Sequence, residues 1–120
     1  MDEYYQLDRF SGYTWTFHLS DCFGTLVTTA DVSSISYTIY KSEYGEDTPV
    51  EGHTNVNVST SKITEEQTDV HTGEKFNFLY TIPDQPSLPY PESKTIYKTV
   101  FKFIGYDGIT HSHTVMGVTS

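Results

Sequence analysis

The chain has 120 residues, 36% apolar and 15% aromatic, with seven Lys and Arg against sixteen Asp and Glu for a formal charge of −9. This is the length of one ordinary domain, apolar enough to bury a core without metal or cross-links, and too acidic to be drawn to nucleic-acid phosphates or anionic lipid headgroups. Cys22 is the only cysteine, which excludes an internal disulfide, and no apolar run approaches the ~18 residues of a helical membrane span.

Residues 1–11 read as an N-terminal arm. Its opening, MDEYYQLDRF, is acidic and lacks the apolar stretch of a secretory signal, so synthesis in a reducing cytosol is expected and the Asn57-Val58-Ser59 sequon stays bare. From Gly12 to Leu19, Tyr13, Trp15, Phe17 and Leu19 occupy every second position, with Thr14, Thr16 and His18 between them. A strand turns successive side chains to opposite faces, so this segment buries an aromatic ridge and shows hydroxyls to water. Ser20 to Gly24 has turn chemistry, and Thr25 to Thr29 resumes a short β segment predicted to form a hairpin with the first.

Val32 to Lys41 alternates Ile35, Tyr37 and Ile39 against Ser34, Ser36, Thr38 and Tyr40, which predicts a central strand ending in the polar turn Glu43 to Asp47. Thr54 to Ser61 puts Val56 and Val58 on one face. Lys62 to Thr72 is polar and reads as a connection anchored by Ile63. Gly73 opens a strand in which Phe76, Phe78, Tyr80 and Ile82 alternate with Lys75, Asn77, Leu79 and Thr81. Four of the five prolines then fall in Pro83 to Pro91, so residues 83–94 read as an extended surface crossover that cannot join a ladder. Thr95 to Ile104 returns as a long strand with Tyr97, Phe101 and Phe103 inward and Lys98 and Lys102 outward; Tyr106-Asp-Gly108 turns it into Ile109 to Val118. About seven antiparallel strands with no helical period give an all-β fold over 1–120, read as a two-sheet sandwich.

Residues that could carry chemistry are scattered. His111 and His113 share a strand face about 7 Å apart, yet no cysteine or acid flanks them at metal-ligand spacing, so they read as solvated strand histidines. His18, His53 and His71 have no nucleophile at a telling distance, and Glu65 and Glu66 are adjacent rather than paired across a cleft. The spacing of Glu43, Glu46 and Asp47 matches no calcium loop. No catalytic set, cofactor motif or metal site is therefore assigned, and a small hydrolase would need a deep polar pocket around His111 or His113, which is not expected.

Ten tyrosines and seven phenylalanines exceed what one small core needs. Tyrosine offers stiff contact area with a polar tip, which suits protein interfaces and sugar platforms. Tyr4, Tyr5, Tyr44, Leu88, Tyr90 and Tyr106, on the arm, turns and proline segment, are the candidate interface residues. Tyr40, on a polar strand face, is a further partly exposed ring.

The run Ser11-Gly12-Tyr-Thr-Trp-Thr-Phe-His-Leu19, the turn with Asp21 and Gly24, the strand Asp31 to Tyr40, the later strand Phe76 to Pro83 and the Asp107-Gly108 hairpin together resemble the immunoglobulin-like β-sandwich modules of tailed-bacteriophage virions. Baseplate upper proteins and capsid-decoration or head-fibre modules share that plan, although Asp21-Cys22-Phe23-Gly24 is longer than their usual Asp-Gly turn. The resemblance implies a non-enzymatic structural protein, made in a bacterial cytosol and carried on the virion, contacting other virion proteins or copies of itself. At −9 the chain would sit away from packaged DNA, on the outside of a shell or on the tail. The competing expectation is a carbohydrate-binding or adhesin-like sandwich that presents Tyr and Trp to a host-surface glycan. Trp15 separates the two, since it belongs in the core under the first and in solvent under the second.

Overall fold

Two-residue alternation builds the long strands of the chain, and around residues 19–27 side-chain hydrogen bonds take the place of a strand. A computed structural model describes residues 4–21 and 23–120; residues 1–3 of the expected arm and Cys22 of the expected turn lie outside it. Among the described residues nine strands follow in chain order: β1 (Tyr5–Leu7), β2 (Tyr13–Phe17), β3 (Val32–Glu43), β4 (Glu46–Pro49), β5 (Val56–Val58), β6 (Ile63–Thr68), β7 (Lys75–Ile82), β8 (Ile96–Gly105) and β9 (Thr110–Thr119). Among the described residues there is no α-helix, only a 3-10 turn at Thr60–Lys62 capped by Ser59. Six strands make one sheet, ordered β1-β9-β8-β3-β4 with β5 also on β3; the other sheet is β2-β7-β6.

The apolar faces of the two sheets share one core. Phe78 lies edge-on to Phe101 at 5.7 Å and to Phe103 at 5.2 Å, Phe17 meets Phe101 at 5.2 Å, and Tyr80 meets Tyr37 at 5.7 Å. Edge-to-face rings of this kind add about 0.5–1.5 kcal/mol per pair beyond area burial. Trp15 is 4% exposed, and its indole N–H donates to the Tyr90 hydroxyl at 3.1 Å, which in turn lies 2.7 Å from Thr99 Oγ1. Every polar tip in this part of the core therefore has a partner.

Several expectations are corrected. The first strand is not a free arm: β1 runs parallel to β9, pairing Tyr5 with Gly117 and Leu7 with Thr119, so the fold is not wholly antiparallel. Leu7 is buried over Gly117, where a Cβ would come within 2.5 Å of the leucine side chain. Thr25 to Thr29 is not a strand, and its hairpin reduces to a single bridge, Ser20 with Leu26. Side chains take the backbone groups that a ladder would use: Asp21 Oδ1 accepts from Phe23 N and Thr25 N, and Asn77 holds Leu19 and Val27. The polar connection after Lys62 instead contains β6, whose only inward residue is Ile63; as a solvated edge it needs no apolar alternation.

The turn after β3 continues into β4. Tyr44 and Gly45 both have positive φ, 52° and 80°, which is the conformation a two-residue hairpin requires. Residues 83–94 lie outside every ladder, as their prolines predict, and most of them are exposed, but the crossover is anchored in the core. Pro89 and Tyr90 are fully buried, and burial pushes the Tyr90 phenol up to about 12. Tyr90 is thus a core residue, not an interface residue, because its ring fills the space between Trp15 and Tyr97.

Candidate functional site

Strand register brings three connections to one end of the molecule. β2 ends at Phe17 beside Phe78, near the start of β7, and β3 begins at Val32 beside Gly105, the end of β8. Residues 18–31, 69–74 and 105–109 consequently meet at this end. Each is shaped by an aspartate accepting from its own backbone: Asp21 as above, Asp69 from His71 N at 2.8 Å and Thr72 N at 3.1 Å, Asp107 from Ile109 N at 3.0 Å. The two amides hold the Asp69 carboxyl below its ordinary range. Asp31 Oδ2 likewise accepts from Thr28 N at 2.8 Å. With their own amides satisfied, the turns lift apolar side chains into water: Phe23 is 88% exposed, Val70 91%, Tyr106 73% and Ile109 54%.

Between residues 19–31 and the β8–β9 turn lies an open cleft of about 710 Å³, with Leu26 and Phe103 among its apolar walls and Asp21, Asp31, Asp107 and His111 among its polar ones. His113 lines it as well. A pocket containing these histidines was not expected; His111 is exposed on its strand, as expected, whereas His113 is half-buried. His111 and His113 stand opposite Phe103 and Phe101 in the ladder, so both follow the inward-facing side of β9. The His113 ring packs against Phe17 at 5.2 Å and Phe103 at 5.7 Å.

Burial, and secondarily the neighbouring His111, push the His113 pKa below the usual histidine value. The unfolded chain therefore takes up this proton more readily than the folded one. The stability that follows is complete above about pH 6.5 and is lost as pH falls below it. Melting temperature should drop between about pH 7 and about pH 5.5, and drop less in His113→Gln; parallel curves for the two proteins would refute the assignment.

The remaining candidates serve the fold. His53 is buried, with Nδ1 2.8 Å from the Tyr37 hydroxyl and Nε2 2.8 Å from the Ser87 carbonyl oxygen, which can only accept, so Nε2 carries hydrogen. His18 sits 2.9 Å from Glu66 Oε2, and with Lys75 it draws the Glu66 carboxyl below its ordinary range. Glu43 and Asp47 pair with Lys41 and Lys98 and do not converge on one point. Among the described residues no histidine bonds a Ser or Thr hydroxyl, and no group of three His, Cys, Asp or Glu is placed to hold a metal.

Of the six residues proposed for an interface, Tyr106 lies at the cleft end. Tyr4, Tyr5 and Tyr44 are exposed at the opposite end, Tyr5 also resting edge-on against Trp15 at 5.0 Å. Leu88 is half-buried and Tyr90 wholly so. The chain matches no protein-family model, no curated protein and no solved structure. Sequence reading missed Phe23, Val70 and Ile109. Phe23 had a signal, since an aromatic between Asp21 and Gly24 stands where turn residues leave no room for burial.

Proposed function

We propose that this chain is an immunoglobulin-like sandwich module of a tailed-phage particle, without catalysis, that works by protein-protein contact through its cleft end. The observation that carries the reading is the gathering of Phe23, Val70, Tyr106 and Ile109 on three turns at one end, each more than half exposed. Isolated exposed apolar residues mean little, but several at one pole, beside an apolar-walled cleft, suit a partner surface. The sandwich reading is supported by strand order: β9-β8-β3-β4 against β2-β7-β6 parallels the G-F-C-C′ and B-E-D arrangement of variable-type domains. It is supported also by Tyr97, at the start of β8, whose hydroxyl accepts from Glu92 N at 2.9 Å, a hydrogen bond back upstream like that of a tyrosine corner. In that frame residues 18–31 and 105–109 take the places of the B–C and F–G loops, which bind in variable domains. The buried Trp15 favours this reading over a Trp-based sugar platform.

Purified particles from the source should contain the chain by mass spectrometry. Phe23→Ser with Tyr106→Ser should leave melting within about 0.5 kcal/mol of the parent, as exposed sites allow, and reduce incorporation severalfold. Normal incorporation would move the interface to the Tyr4 and Tyr44 end. The cleft itself supports a second reading, capture of a host-surface glycan by carboxylates beside an aromatic rim; chemical-shift changes confined to the cleft on adding sugars would favour it.

A further inference from the structure

We propose that two copies of this chain pair edge to edge through β2, antiparallel and centred on Trp15, so that their three-stranded sheets join into one of six strands. The inference goes beyond the virion reading and does not depend on it. β2 pairs only with β7; among the described residues, no other hydrogen bond reaches the backbone of Tyr13–Phe17. Its outer row of N–H and C=O groups is thus open, and an open row is a template for another strand.

The other edges carry guards that β2 lacks. β6 has Glu65 and Glu66 and a register shift between Ile63 and Gln67; β4 has Glu46, Asp47 and Pro49; β1 and β5 are three residues long. Charges, proline, irregular register and shortness are the usual means of blunting an edge. From Phe10 to Phe17 there is no charge and no proline, and the β2–β7 register is unbroken.

The occupant follows from the residues themselves. Tyr13-Thr14-Trp15-Thr16-Phe17 reads the same in both directions by side-chain type: ring, hydroxyl, indole, hydroxyl, ring. Antiparallel pairing about Trp15 sets Thr14 opposite the second copy's Thr16 on the exposed face, and Tyr13 opposite its Phe17 on the half-buried face. Thr–Thr and ring–ring are favourable cross-strand pairs. A chain at −9 repels its own copies, and this neutral strip lets them meet without bringing carboxylates together. The contact is two-fold and closes at a dimer.

Light scattering of the full chain over a concentration series should show reversible doubling of the 13.7 kDa mass. Thr14→Glu with Thr16→Glu places like charges in both facing pairs, and Thr14→Lys with Thr16→Lys does the same; each should be monomeric, and an equimolar mixture of the two should recover the dimer. Thr14→Lys with Thr16→Glu makes both facing pairs opposite in charge only in the proposed register, so it should dimerise alone. Melting curves check that all three variants fold, and amide exchange of the parent should slow at Tyr13–Phe17 as concentration rises. A monomeric parent, a Glu/Glu variant that dimerises like the parent, a mixture that stays monomeric, or exchange at β2 indifferent to concentration would overturn the proposal.

Discussion

Asn77→Ala should remove about 2–4 kcal/mol of stability, a large share of the roughly 5–15 kcal/mol of a domain this size. Asn77 is fully buried on β7; its Oδ1 accepts from Leu19 N at 2.6 Å and its Nδ2 donates to Leu19 O at 2.9 Å and Val27 O at 3.1 Å. Truncation orphans Leu19 N and Val27 O, whereas Leu19 O retains the N–H of Val27 at 3.0 Å. One buried orphan, Leu19 N, at about 1–3 kcal/mol, and one part-buried orphan, Val27 O, at the lower end of that range set the magnitude. Asn77→Asp should cost more at neutral pH, because an anion would face the two carbonyl oxygens, and it should recover partly toward about pH 4 as the carboxyl protonates. Denaturant melts of the three proteins at both pH values check the order. An alanine variant as stable as the parent would mean that residues 18–31 are held by something other than this amide.

Trp15→Ala should remove about 3–5 kcal/mol, the cost of emptying a large aromatic site in a core that cannot fully collapse. The indole contacts Tyr5 and Tyr13 and donates to Tyr90, so its loss loosens β1 as well as β2. Trp15→Phe keeps one ring but loses the donor and part of the indole's volume; since Tyr90 still bonds Thr99, the cost should be about 1–3 kcal/mol, below that of the alanine variant. Because Trp15 is the only tryptophan, its emission reports directly on the site: blue-shifted when folded and red-shifting in step with unfolding. Emission typical of water in the native protein would contradict its burial.

Where apolar alternation was long, the sequence was legible. β2, β3, β7, β8 and β9 all lie within two or three residues of their expected bounds, because five or more alternating positions leave one face no option but the core. β4 and β6 were illegible for the opposite reason. Edge strands that are exposed along nearly all their length, β6 burying only Ile63, carry ordinary surface residues and show no apolar period. β1 is too short for a period and pairs with a strand 112 positions away. Tyr90 was misplaced because tyrosine suits surface and core alike, and only the two hydroxyl partners on β2 and β8 decide between them. The cleft end is a product of topology: no local pattern brings Phe23 and Tyr106 to one pole. Their turn chemistry was readable, but their meeting was not.

The parallel seating of β1 beside β9 has a kinetic consequence. The earliest strand in the chain has no neighbour to pair with until the last one exists, so its closure must bridge nearly the whole polymer and comes late in folding. Held by three residues and the grip of Leu7 on Gly117, it is also the segment whose release asks least of the remainder. The tyrosine pair at its head would then swing away together, uncovering one side of the indole while the other eight strands stay assembled.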